Sequence, residues 1–505
     1  MPAFTLSPLF TQGAVLTRNK EIRLFGLGKN GDTLSITLLD RDGKPLAQGE
    51  SVVRDGKFCA CLPPQQARTG CSLVVTDGKE TAAYSDILIG DVFWAGGQSN
   101  MELELQNADE GKRLIPVHEN PLVRYFNVPK YPRFSPEMEQ ANANARWLPI
   151  LPGNGRDMSA AAYFFAMKLQ KELDVPIGIV DCYWGGTSVT CWMDEEALER
   201  TTEGRRYKKE YEEKCAGKSM EEYVAEEKAF FDGQNEWNAK AAALREKRPG
   251  MTNQQIADEI GPCPPWAPPI GPGSPFRPSG LFHTMVERIV PMTLTGVLFY
   301  QGEEDTWRTK QYDILLSSLI VRIRELFRDG ALPFLNVQLP MWIDAAAAED
   351  SKLWPALRMA QQKVHCNTRN TSLAILIDQG EYDNIHPTNK RVVGERLAEE
   401  AKRVIYHLPG QEAPMAIQKY TEGDTLVIAL SQTVKEREEG EYLMEIAGED
   451  GKYFPAEVSV LGASLRLCSD CVPKPRFARY AWTDYAIVRL FGENGLPLAP
   501  FVMEG

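Results

Sequence analysis

The sequence predicts an α/β protein: a parallel sheet with helices on both faces, preceded and followed by β-rich regions. Three observations carry this. From about residue 280 to 405, short apolar runs alternate with amphipathic helical stretches, the order that builds a parallel sheet. Up to residue 88 and again beyond 410, short β-like runs are separated by turn signals, as in β-sandwiches. Two further apolar runs, Asp91–Ala95 and Pro176–Tyr183, stop abruptly near paired glycines, Gly96-Gly97 and Gly185-Gly186, and so predict two loops at one sheet edge.

Length and composition are consistent with this division. At 505 residues the chain is too long for one ordinary domain, and its 43% apolar and 25% charged residues are those of a globular protein. The expected units are an N-terminal β-sandwich over 1–88, a central α/β region over 89–410 and a C-terminal β region over 411–505. From the sequence the last unit either stands alone or completes the N-terminal sandwich. A net charge of −13, with no basic block to reverse it locally, argues against nucleic acid and anionic membranes as partners. No apolar run approaches the roughly 20 residues of a membrane span. The first eight residues, Met1 to Pro8, show no signal-peptide pattern, so a cytoplasmic location is expected. The ten scattered cysteines read as buried thiols. Cys59-x-Cys61 and Cys468-x-x-Cys471 lack zinc-ribbon spacing, so no metal or cofactor is expected.

Along the chain, Ile22–Gly26, Thr33–Leu39, Lys57–Leu62 and Ser72–Thr76 are the N-terminal strand candidates. Ala162, Phe165, Ala166, Leu169 and Leu173 share one face of a helix over 160–173. From 200 to 275, dense charges at helical spacing give way to a stretch rich in proline and glycine, which reads as a helical insertion ending in a stiff loop. Strand Leu294–Tyr300, helix 311–328, strand Pro333–Leu339, helix Lys352–His365, strand Ser372–Ile377 and helix Asn389–Ile405 then alternate. In such sheets a ligand sits beyond the carboxyl ends of the strands, where Ser99, Gly186, Gln301 and the loop 378–388 are expected to converge.

Ser99 follows the first glycine pair directly, where a strand end presents a hydroxyl. Met101 stands where an ordinary nucleophile elbow has its second glycine. A helix-capping serine is the alternative. The chain has five histidines, and His386 stands out three residues after Asp383 on a loop before a helix. An acid so placed can accept the imidazole Nδ1–H and turn Nε2 toward a serine. Read alone, D-x-x-H is equally a surface turn.

Four blocks together, Gly96-Gly97-Gln98-Ser99-Asn100-Met101, Trp184-Gly185-Gly186-Thr187, Tyr300-Gln301-Gly302-Glu303 and Asp383-x-x-His386, resemble the ordered motifs of the SGNH (GDSL-like) hydrolases. Within them the chain is similar to the sialate O-acetylesterase family and its acetyl-xylan esterase relatives, as are Pro278–Phe282 and Arg479–Trp482 with Gly495-Leu496-Pro497. The resemblance runs from about 88 to the end and is looser over the insertion. It implies a flavodoxin-like three-layer sheet and a metal-independent serine esterase that removes O-acetyl groups from sugars. Sialic acid is the first expected sugar, and acetyl-xylan or another glycan the second. Ser99 would be the nucleophile, His386 the base and Asp383 its orienting acid. The backbone N–H groups of Ser99 and Gly186, with the Gln301 amide, would form the oxyanion hole. Asp305 stands where many relatives have asparagine, and an ionised carboxylate cannot donate. Glu303 either braces the loop or shares the orienting role. Trp184, Trp192, Trp307 and Trp342 are candidate sugar platforms, with core packing the alternative. An inactive carbohydrate-binding protein and a lipase-like esterase are the competing readings.

Overall fold

The computed structural model describes residues 3–343 and 350–504. Met1 and Pro2, the first residues of the segment tested for a signal peptide, lie outside them. The central sheet contains β1 (Thr81–Gly97), β2 (Asn120–Asn127), β3 (Trp147–Ile150), β4 (Ile177–Tyr183), β5 (Gly296–Tyr300), β6 (Phe334–Val337) and β7 (Thr371–Ala374). Their order is β3-β2-β4-β1-β5-β6-β7. All pairs are parallel except β3 with β2.

Helices cover both faces, and neighbouring side chains on β1 show why. Phe93 packs edge-on against Phe165 with centroids 4.9 Å apart. Trp94 points the other way and stacks on Phe327 at 6.0 Å. Successive strand residues face opposite sides, so β1 needs cover on both. One cover is the helix Ala160–Leu173 with Lys390–Val404. The other includes Tyr312–Leu326 and Leu353–Asn367.

The expected boundary at residue 88 falls inside β1. This strand is 17 residues long, and its burial pattern changes along its length. Its first part pairs antiparallel with Arg68–Thr76 and alternates between exposed and partly buried side chains. From Ile87 onward every residue is buried, as in a parallel strand covered on both faces. One strand therefore serves both sheets, and a single apolar core runs from Phe4 to Ala401. The C-terminal strands bury a second core around Leu426, Ile428, Ile446, Leu465 and Leu490, joined to the central sheet at Met341, Leu373, Ile375 and Ile377. Among the described residues they pair with no N-terminal strand, so the two β regions are separate units.

The insertion forms three helices, α1 (Thr202–Cys215), α2 (Met220–Lys247) and α3 (Asn253–Ile260), followed by an irregular proline-rich segment. Ser219 with Glu222 and Thr252 with Gln255 form capping boxes that fix the starts of α2 and α3. No helix among the described residues is long and apolar enough to cross a membrane.

Candidate active site

Three parallel strands end side by side, with Gly97 opposite Tyr183 on one side and Tyr300 on the other. Gly97 has φ +125°, and a β-carbon there would fall 2.0 Å from the Tyr300 carbonyl oxygen, so the turn out of β1 requires glycine. The Gln98 N–H donates to Tyr300 O at 3.0 Å, and the Trp184 N–H donates to Gly97 O at 3.1 Å. Ser99 then opens a four-residue helix ending at Glu102. Its N–H stands in the first turn, where no partner exists within the helix.

Ser99 Oγ lies 2.8 Å from His386 Nε2, across 287 residues of sequence. The next residue makes a second tie: Asn100 Nδ2 donates to Ile385 O at 2.9 Å and to Glu303 Oε1 at 2.6 Å. Lys390 Nζ donates to Asn100 Oδ1 at 2.6 Å and lies 5.3 Å from the Tyr300 ring centroid. The Lys390 side chain is only 1% exposed, and burial lowers its pKa to about 7 against the opposing charges of Glu303 and Glu381. The His386 pKa is lowered to about 4, by burial first and by the Lys390 charge second. The imidazole is thus neutral at ordinary pH, with Nε2 able to accept the serine proton. Three other histidines are engaged elsewhere: His118 with Tyr163, His283 with Glu195 and Glu287, and His365 with Thr371 O.

The second glycine pair lies against Ser99. A β-carbon on Gly185 would sit 3.2 Å from Ser99 Cβ. The Gly185 N–H donates to Glu102 Oε2 at 2.6 Å, and Glu102 also pairs with Lys130, which ties this loop to the Ser99 helix. The Gly186 N–H has no hydrogen-bond partner among the described residues. The Ser99 and Gly186 N–H groups are therefore two backbone donors with no hydrogen-bond partner among the described residues.

The Gln301 amide is engaged elsewhere. It is 1% exposed. Its amide nitrogen faces Asp305 Oδ2 at 2.6 Å, Thr187 O at 3.1 Å and Gln98 Oε1 at 3.2 Å. Tyr312 OH donates to Gln301 Oε1 at 2.7 Å and holds the amide in that orientation. Two N–H groups shared among three buried acceptors leave none for substrate. Asp305 is buried with it, and its carboxylate accepts from Ser188 Oγ, Val189 N and Gln301 Nε2. This pair anchors the segment after Gly186 from behind.

The acids also differ from expectation. No hydrogen bond joins Asp383 to His386 among the described residues. Asp383 Oδ2 instead accepts the Asn253 N–H at 2.8 Å, and Asp383 O accepts Asn253 Nδ2 at 2.7 Å. The start of α3 has claimed this carboxylate. Among the described residues Glu303 makes no hydrogen bond to the histidine either; burial pushes its pKa up, and it braces Asn100. The carboxylate that knots the histidine loop is Glu381, which the sequence did not single out. Glu381 accepts from Thr388 N at 2.9 Å and from Asn384 Nδ2 at 2.7 Å. Asn384 Oδ1 in turn accepts the His386 N–H at 3.1 Å. A local E-x-x-N pair is a legible turn signal, but its role needs the fold.

Of the four candidate tryptophans, Trp192 is fully buried, and Trp342 packs on Trp354 with centroids 4.9 Å apart. Trp184 is partly buried against the core, and Trp307 is exposed under the Arg308 guanidinium. A fifth, Trp266, lies on the Gly185-Gly186 loop, where a β-carbon on Gly186 would meet its ring at 2.3 Å. Its flanking prolines, Pro264-Pro265 and Pro268-Pro269, were the available sequence signal. A cavity of about 980 Å³ opens elsewhere, between the N-terminal strands and Glu287–Pro291, and none of these residues lines it.

The chain is similar to known carbohydrate esterases. Residues 266–403 match the family model described as carbohydrate esterase, sialic acid-specific acetylesterase. The chain is 24% identical over 499 residues to a sialate O-acetylesterase of Rattus norvegicus, covering 92% of this chain and 86% of the relative. It is 24% identical over 525 residues to a sialate O-acetylesterase of Homo sapiens, covering 95% and 88%. The crystal structure of a carbohydrate acetylesterase from Xanthomonas citri is similar over 99% of both chains, with a TM-score of 0.75 and 26% identity. Over most of its length the chain is thus similar to sialate O-acetylesterases, residues 266–403 match the sialic acid-specific acetylesterase model, and the protein is a carboxylic ester hydrolase.

Proposed function

We propose that this protein removes O-acetyl groups from sugars by acyl transfer through Ser99, with O-acetylated sialic acid as the first-choice substrate. The observation that carries the reading is the 2.8 Å approach of Ser99 Oγ to His386 Nε2. His386 takes the serine proton as Oγ attacks the acetyl carbonyl, and the oxyanion is held by the N–H groups of Ser99 and Gly186. The imidazolium then protonates the departing sugar oxygen. Water, activated by the same histidine, releases acetate from the acyl-enzyme. The strand order, with Ser99 after β1 and His386 after β7, supports an SGNH-type sheet flanked by β units. The similarity to sialate O-acetylesterases over most of the chain supports the choice of sugar. Asp383 acts in this scheme by fixing the loop three residues before His386.

The test is acetate release from O-acetylated sialic acid, acetyl-xylan and p-nitrophenyl acetate, with Ser99→Ala alongside. Serine-dependent release from sialic acid supports the full reading. Release from acetyl-xylan alone would reassign the sugar to a neutral glycan. A protein that binds glycans but releases no acetate from any substrate would be an inactive carbohydrate-binding relative.

A further inference from the structure

The charged insertion ends in a segment that reaches the Gly185-Gly186 loop beside Ser99, and Trp266 is the residue that meets Gly186 there. Several contacts fix it. Gln234 on α2 donates to Pro264 O at 2.9 Å, and Trp237 Nε1 donates to Gly261 O at 2.9 Å, so the helix holds the backbone before Trp266. Phe230, Phe231 and Phe276 pack edge-to-face against its indole, at centroid distances of 5.6, 6.4 and 5.8 Å. On another side the ring meets Gly186, where a β-carbon would fall 2.3 Å from Cζ2 and 2.9 Å from Nε1.

A tryptophan that only propped up the glycine loop would be buried. Trp266 is 46% exposed, and its Nε1–H has no hydrogen-bond partner among the described residues. One indole edge therefore sits at a candidate oxyanion donor while much of the ring faces solvent. An apolar face beside a free N–H suits a group that is apolar on its C–H face and bears oxygen acceptors, as a pyranose is.

We propose that Trp266 is the sugar-facing wall of this active site and a determinant of its specificity, stacking on the ring that carries the acetyl ester and donating its N–H to a sugar oxygen. This assignment rests on the sugar esterase reading above. It also gives the insertion a role: α2 and the proline-rich segment carry the wall to the catalytic loops.

The experiment compares kcat/KM for an acetylated sugar with that for methyl acetate, which has no ring to stack. Both are measured in wild type, Trp266→Ala and Trp266→Phe, with thermal unfolding checked for each. Loss of stacking and one hydrogen bond predicts a fall of about tenfold on the sugar for Trp266→Ala. The loss on methyl acetate should be at least about threefold smaller than the loss on the sugar. Trp266→Phe, which keeps the face and loses the donor, should fall between. An equal loss on both substrates would make Trp266 a support for Gly186 alone, and no loss on either would remove it from the site; both outcomes overturn the proposal. A wild-type enzyme that cleaves methyl acetate and no acetylated sugar would overturn the sugar reading itself, and this assignment with it.

Discussion

The residue after Ser99 holds the residue before His386: Asn100 Nδ2 donates to Ile385 O at 2.9 Å. The Ser99–His386 contact is therefore one of two parallel ties between the same pair of loops. The second tie is backed by Glu303 and by the buried Lys390.

Ser99→Ala and His386→Ala should each lower kcat by at least about 10³-fold, the scale on which triad members act. Neither side chain supports the core, so the thermal midpoint should stay nearly unchanged. A single-turnover assay with calorimetry checks both, and a variant that retains most of its activity would remove that residue from the chemistry.

The acid limb of the wild-type kcat/KM profile should lie well below the ordinary histidine value of 6.5, near the lowered pKa of about 4. The base must be neutral, so activity is lost as pH falls through that value. Lys390→Met removes a positive charge that opposes imidazole protonation, so it should move the limb upward. It should also reduce kcat through the loosened Asn100 tie. A profile that does not move would confine Lys390 to packing.

Gln301→Ala should cost stability before it costs transition-state binding. It strands the Thr187 carbonyl in the interior, an unmet partner worth about 1–3 kcal/mol, and removes one hydrogen bond each from Asp305 and the Tyr312 hydroxyl. A large fall in the denaturation midpoint is expected. A loss of kcat with unchanged stability would return the Gln301 amide to the oxyanion hole.

Asp383→Asn should weaken the clasp between α3 and the histidine loop, lowering kcat by about tenfold or less, with Asn253→Ala giving a similar loss. A loss as large as that of His386→Ala would make Asp383 the acid that orients the imidazole during catalysis.

Gly186→Ala should be damaging for two reasons. Its φ of +70° strains an alanine, and the new methyl would meet Trp266. Pairing it with Trp266→Ala should relieve the second cost and leave the first, so the double variant should be more active than the sum of the two losses predicts.

The sequence by itself determined the alternation of strands and helices, the serine behind Gly96-Gly97 and the choice of His386 among five histidines. These are local facts. A strand ending at glycines, a 3.6-residue apolar period and a polar residue on a turn are each written within about a dozen neighbours. Only the tertiary structure decided where long polar side chains point. Gln301 has the right amide at a strand end, yet Asp305 four residues on, Tyr312 eleven residues on and Thr187 from a distant loop converge on it and take its hydrogen bonds. Asp383 stands at the right spacing from His386, yet the start of an inserted helix 130 residues earlier captures its carboxylate. Trp266 looked like one residue of a stiff linker until the insertion folded back onto Gly186. Spacing along a chain fixes which groups are near one another, but a buried hydrogen bond goes to whichever partner the whole fold brings closest. At Asp383 that competition is settled by Asn253, 130 residues away in the sequence.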